Sequence, residues 1–120
     1  MLLIAVQNYR NLLVWRKAHH LALCVRQVTD SVHRDNSGVI TQARRAAISI
    51  ASNIAEGCTR GSDRDFAKFV QVAIASATEL EYQLEYARDA GIIKRYVVQA
   101  LLDQVVEVRR MLYGLLKRLR

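Results

Sequence analysis

Apolar residues recur three and four positions apart in four long segments with short polar breaks between them. That spacing puts them on one face of a helix, so each segment predicts a helix with one buried stripe. The first covers about 12–32, with Trp15, Ala18, Ala22, Val25 and Val28 in its stripe and Leu21 and Val32 widening it. The second covers about 39–56, with Ala43, Ala47, Ile50 and Ile54 on one side. The third, 63–89, carries Phe66, Phe69, Ala73, Ala77, Leu80, Leu84 and Ala87. The fourth, 94–119, carries Val98, Leu101, Val105, Val108, Leu112, Leu116 and Leu119. No segment alternates with the period of two that a strand requires.

The breaks have the chemistry of helix ends. Asp35-Asn36-Ser37-Gly38 predicts a turn whose Asn or Ser caps the second helix. Gly57 and Gly61 bracket the next break. Ser62, with Asp65 three residues on, has the spacing of a capping box. Gly91 stands where a left-handed residue ends the third helix. Connections this short make consecutive helices antiparallel, so the expected fold is all-α: an up-down-up-down four-helix bundle in one domain, residues 1–120, with a short arm at 1–10. The absence of proline among 120 residues fits long uninterrupted helices. The apolar opening at 1–6 has no basic stretch before it and polar Gln7-Asn8 after it, so it reads as neither leader nor membrane span. Cys24 and Cys58 have no ligand spacing and read as free thiols of a cytoplasmic protein.

Charge adds a direction to this fold. The net charge is +7, and the excess lies at the two ends of the sequence. Three chain reversals bring the start of helix 1, the end of helix 2, the start of helix 3 and the end of helix 4 to one pole. Arg10, Arg16, Lys17, Arg60, Arg64, Lys68, Arg110, Lys117, Arg118 and Arg120 are expected there, against Glu56, Asp63 and Asp65. A basic pole can neutralise phosphates without a fixed motif. The aromatic residues near it, Tyr9, Trp15, Phe66, Phe69 and Tyr113, lie mostly on or near the apolar stripes and read as core, so little base readout is expected. The bland alternative is a pI near 9.9 that only aids solubility.

The backs of helices 2 and 3 are not uniformly charged. Arg45, Ser49, Ser52, Asn53 and Glu56 lie roughly opposite Ile50 and Ile54, and Ala75, Tyr82 and Tyr86, with Val72 nearby, lie on the back of helix 3. Small and aromatic residues in such places suit self-association. Glu56, Glu79 and Glu81 read as groups that fix helix register or a subunit contact, with Arg44 or Arg45 as the expected partner of Glu81.

Three stretches resemble a known family. Asn11-Leu12-Leu13-Val14-Trp15-Arg16-Lys17-Ala18-His19 resembles its opening L-x-V-W-x-K-A pattern. Residues 42–57 resemble its R-R-A-A-x-S-I-x-x-N-I-A-E-G signature, and residues 66–91 resemble its third-helix pattern through Ser76, Glu79-Leu80-Glu81 and Gln83-Leu84. The family is that of the four-helix-bundle proteins encoded in intervening sequences of bacterial 23S rRNA genes. The resemblance implies a homo-oligomer, often a pentamer, with no known enzymatic activity. It also implies kinship with a group that accompanies reverse transcriptases and binds nucleic acid through a basic surface. Ala51 stands where the family usually has proline, which predicts a helix 2 without that kink.

Catalytic readings find little support. There is no Glu-x-x-His pair for a di-metal carboxylate site, and adjacent His19 and His20 point about 100° apart on a helix. Cys24 has no evident positive partner to lower its pKa, and no phosphate-binding glycine loop is present. No metal, cofactor or membrane is expected. The function expected is non-enzymatic binding of RNA or DNA backbone by a homo-oligomer. The alternatives are a protein-interaction scaffold for a nucleic-acid enzyme and, more remotely, a small-molecule binder between protomers.

Overall fold

The computed structural model describes residues 8–120. Most of the expected N-terminal arm, and the reading of residues 1–6 as neither leader nor span, lie outside the described residues. A 3-10 turn at Tyr9–Asn11 leads into α1 (Leu13–Thr29), a second at Arg34–Asn36 leads into α2 (Ser37–Gly57), and α3 (Asp63–Asp89) and α4 (Arg95–Leu119) follow. Among the described residues there is no strand, and none of the helices is long and apolar enough to cross a membrane. The molecule measures 47 × 20 × 20 Å.

Helix length dictates the topology. The 27 residues of α3 run roughly 40 Å. The five residues of each connection flanking α3 reach at most about 18 Å, so neither can return the chain to the far end. α2, α3 and α4 therefore alternate in direction, and the bonds from Arg44 to Thr29 and Asp30 set the first half of α2 beside the end of α1, so that pair is antiparallel too. Each helix packs on its two neighbours around a square, with α1 against α2 and α4, and α3 likewise. The stripes read for α2 and α4 are wholly buried, and so is that of α3 except half-buried Phe69.

α1 departs from expectation in two ways. Its stripe is turned by about one residue: Val14, Ala18, Leu21, Val25 and Thr29 are buried, while Trp15, Ala22 and Val28 are half-buried on its flank. It also ends at Thr29 rather than Val32. Thr29 Oγ1 donates to the Val25 and Arg26 carbonyls at 2.7 and 3.2 Å and accepts from Arg44 Nε at 2.8 Å. Arg44 Nη2 reaches the Arg26 carbonyl at 3.3 Å and Asp30 Oδ1 at 2.9 Å. A cation on the last carbonyls of a helix closes it and meets the negative end of its dipole.

The other ends follow the sequence in part. Neither Asn36 nor Ser37 caps α2 with its side chain: Ser37 is the first helical residue, and the 3-10 turn before it satisfies the entering backbone instead. Ser62 does cap α3, its Oγ accepting the Asp65 N–H at 3.1 Å. Gly91 closes α3 with φ +73°, Gly91 N–H bonding to the Arg88 carbonyl at 3.1 Å and Ile92 N–H to the Ala87 carbonyl at 2.8 Å. That pair of bonds is the Schellman arrangement, which needs a residue free to adopt positive φ. α2 is helical without interruption through Ala51, whose side chain is buried, as expected without the proline.

Gly57 ends α2 for a different reason. A Cβ there would lie 2.6 Å from Phe66 Cδ1 and 3.0 Å from Phe69 Cβ. Phe66 is fully buried, so the α2–α3 hairpin closes only over a hydrogen atom. Beside it, buried Cys58 is a free thiol whose pKa is pushed up to about 11 by burial, which makes it inert near neutral pH.

Candidate nucleic-acid interface

All ten cations expected at the basic pole are exposed. The antiparallel topology places them in one end of the bundle. They do not sit on its tip alone: Arg110 precedes Arg120 by ten helical residues, or about 15 Å, so they spread over roughly a third of the 47 Å length. Contacts confirm the level. Lys17 Nζ lies 3.1 Å from Glu107 Oε1, and Leu12 and Leu13 border the same groove as Met111 and Arg118.

The balance of charge there is lopsided. Glu107 joins Glu56, Asp63 and Asp65, a carboxylate that the sequence reading did not place at this end. Ten cations thus face four carboxylates, and the remaining eight cations of the chain face seven. Three of the ten are held in ion pairs: Lys17 with Glu107, Arg60 Nη2 with Glu56 at 3.1 Å, and Lys68 with Asp65 at 3.5 Å. Arg10 is bound to Asn8 and lies 4.5 Å above the Tyr9 ring. Arg16, Arg64, Arg110, Lys117, Arg118 and Arg120 have no carboxylate partner among the described residues.

Fold stability explains only some of these positions. Lys117 and Arg118 lie in the last turn of α4, where the helix dipole favours cations. Arg64 is in the first turn of α3 and Arg16 is the fourth residue of α1. Positive charge near a helix N-terminus opposes the dipole, so the packing of the bundle gives no reason for it.

The residues read as a subunit contact separate into two groups. Ser49 and Asn53 are turned toward α3 rather than outward. Ser49 Oγ is 2.8 Å from Ser76 Oγ, and Asn53 Nδ2 donates to the Ser49 carbonyl at 2.8 Å and to Ser49 Oγ at 3.1 Å. Glu56 is engaged by Arg60 of the α2–α3 connection. Arg45, Ser52, Tyr82 and Tyr86 are exposed, and with Val72 the two tyrosines form an outward stripe along α3.

Glu81 is held within the chain, though not by Arg44 or Arg45. Arg109 of α4 grips it with two bonds, Nη1 to Oε1 at 2.9 Å and Nη2 to Oε2 at 3.2 Å. The side chains are 28% and 23% exposed. The Arg109 bonds and charge hold the Glu81 carboxyl below its ordinary range despite partial burial, and raise Arg109 in turn. Arg44 is committed to the end of α1, and Arg45 points to solvent. Cys24 does have a neighbour that the sequence reading missed, His20 Nε2 at 3.4 Å one helical turn away. No group of three metal-ligating side chains converges among the described residues.

The aromatic residues near the basic end were expected in the core, and only Phe66 is fully buried. Phe69 is half-buried beneath the Arg60 guanidinium, Tyr113 is exposed, and Tyr9 and Trp15 line an open cleft beside α2.

Comparison with known proteins agrees with this architecture. A crystal structure of a protein of unknown function from the S23 ribosomal protein family of Bacteroides thetaiotaomicron superposes with a TM-score of 0.81. The match covers 88% of this chain and 99% of that one at 23% identity, a likeness of fold. No curated protein matches the chain significantly. The sequence profile of the 23S rRNA-intervening sequence proteins matches residues 10–114. With the four-helix bundle and the α2 signature in place, the chain belongs to the 23S rRNA-intervening sequence protein family.

Proposed function

We propose that this protein is a non-enzymatic, self-associating helical bundle that binds RNA or DNA backbone through its basic third. One observation carries the reading: ten exposed cations share that region with four carboxylates, and six of the ten have no carboxylate partner among the described residues. Desolvating or crowding like charges costs energy that a polyanion repays by releasing its counterions. The unfavourable placement of Arg16 and Arg64 against their helix dipoles supports a role outside the fold. Self-association through the α3 stripe of Val72, Tyr82 and Tyr86 would repeat the basic region on each copy and add the potentials.

The test is fluorescence anisotropy with labelled structured RNA, single-stranded DNA and duplex DNA at two salt concentrations. Binding that weakens steeply between roughly 50 and 200 mM salt, and that Lys117→Glu with Arg118→Glu weakens further, supports the reading. The exposed Tyr82 and Tyr86 favour a second reading, a scaffold that docks a protein partner and touches no nucleic acid. The absence of any anisotropy change at micromolar protein selects that reading.

A further inference from the structure

The aromatic cluster at the start of α1 is built as an open site. Trp15 meets Tyr9 edge to face at 4.9 Å and 68°, and His19 stacks on Trp15 at 5.0 Å, only 9° from parallel. With Ile48 and Ser52 of α2 these rings wall a cleft of about 230 Å³ whose floor includes Ala51. A core aromatic hides its faces. Here Tyr9 and Trp15 are only half-buried, His19 is exposed, and Ile48 across the gap is 58% exposed. The volume is below that of a pocket for a drug-sized molecule and suits one planar ring system.

The rim is positive. Arg10 lies over Tyr9 and Arg16 follows Trp15 in the chain. Of the other cations on the two helices, Lys17 is paired with Glu107 and Arg26 and Arg44 with Asp30, so Arg10 and Arg16 carry the free positive charge beside the rings. A flat apolar slot edged by cations selects a π-face borne on an anionic chain. Single-stranded nucleic acid is that ligand, because aromatic side chains stack on any unpaired base. A duplex keeps its base faces stacked and cannot offer them.

We propose that the Tyr9–Trp15–His19 cleft takes one unpaired base of single-stranded RNA or DNA, with Arg10 and Arg16 on the adjoining phosphates. The proposal rests on the polyanion reading above and narrows it to unpaired strands. Trp15 is the only tryptophan in the chain, so its emission reports on this cleft alone.

The test compares a 15-nucleotide oligothymidylate, the matching oligouridylate, and an abasic strand of the same length and charge at one salt concentration. A base in the cleft quenches Trp15, and the base-bearing strand binds roughly five- to a hundredfold more tightly than the abasic one. Quenching by either the DNA or the RNA strand supports the proposal, and the stronger of the two names the source. His19→Ala removes the exposed ring, and Ser52→Phe fills the cleft from the other wall. Both positions are exposed, so the fold tolerates them. Each brings the affinity for the base-bearing strand down toward that of the abasic strand. Equal affinity for all three strands with unmoved Trp15 emission overturns the proposal and leaves the polyanion reading standing. Failure of all three to bind overturns both.

Discussion

Replacing Glu81 by glutamine tests the one inter-helix ion pair among the described residues that is both two-bonded and partly buried. The wild-type carboxylate takes two bonds from Arg109, at 2.9 and 3.2 Å, and each side chain is about a quarter exposed. Glutamine keeps the shape and one acceptor but loses the charge and the second bond. A fully exposed pair would be worth less than about 1 kcal/mol, and breaking a fully buried one costs about 3–5 kcal/mol, so the expected loss here is about 2 kcal/mol. For 120 residues that lowers Tm by roughly 6–10 °C. The dependence on pH has a definite sign. Arg109 holds the folded Glu81 pKa below the unfolded value, so the stabilisation is full above the ordinary carboxylate range. It fades as pH falls through the lowered folded value. Calorimetric scans of wild type and Glu81→Gln should therefore differ at pH 7 and converge toward pH 3. A double-mutant cycle with Arg109→Gln isolates the pair. Equal melting temperatures at pH 7, a gap that persists at pH 3, or a coupling energy near zero would refute the assigned role of the pair in holding α3 to α4.

Other expectations are as direct. Gly57→Ala should destabilise the protein by about 1–3 kcal/mol in urea titrations, because the new methyl would meet the immobile Phe66 ring at 2.6 Å. Helix propensity alone predicts a gain of about 1 kcal/mol, so a more stable variant contradicts the packing. Arg44→Met uncovers the end of α1 and leaves buried Thr29 without its donor, for a loss of about 1–2 kcal/mol, seen as a lower urea midpoint. At pH 8, a thiol reagent should modify Cys24 promptly and Cys58 only after unfolding, since burial holds the latter near pKa 11. Two equally fast thiols would show that the start of the α2–α3 connection is open.

The helices were legible because the chain writes the 3.6-residue period over long stretches and never interrupts it with proline. Ser62 and Gly91 were legible because each does a job that few residues can do. Partnerships between helices were not. Periodicity says that Glu81 borders the core of α3 but not which cation of which helix reaches it, and Arg109 on α4 is as plausible by sequence as Arg44 on α2. Ser49 and Asn53 looked outward because Ile50 and Ile54 define one buried side. α2 in fact buries a broad arc of small residues, including Ala43, Ala46, Ala47 and Ala51, and presses against both α1 and α3. Trp15 drew the α1 stripe toward itself by its size, while the smaller Val14 fills the core and leaves the indole on the rim of the cleft. The basic region was legible as a set of residues, since topology follows from loop length. Glu107 was missed because only the packing of α1 on α4 brings it to Lys17.

The slope of log affinity against log salt for a single-stranded oligonucleotide reaches the central claim most directly. Each phosphate neutralised releases counterions and adds about 0.7 to the steepness of the slope for single strands. Wild type is expected to show a steep negative slope, and the pair Lys117→Glu and Arg118→Glu should flatten it by roughly 1.4. A slope near zero, or one that the two charge reversals leave unchanged, would contradict polyanion binding at the basic end of the bundle.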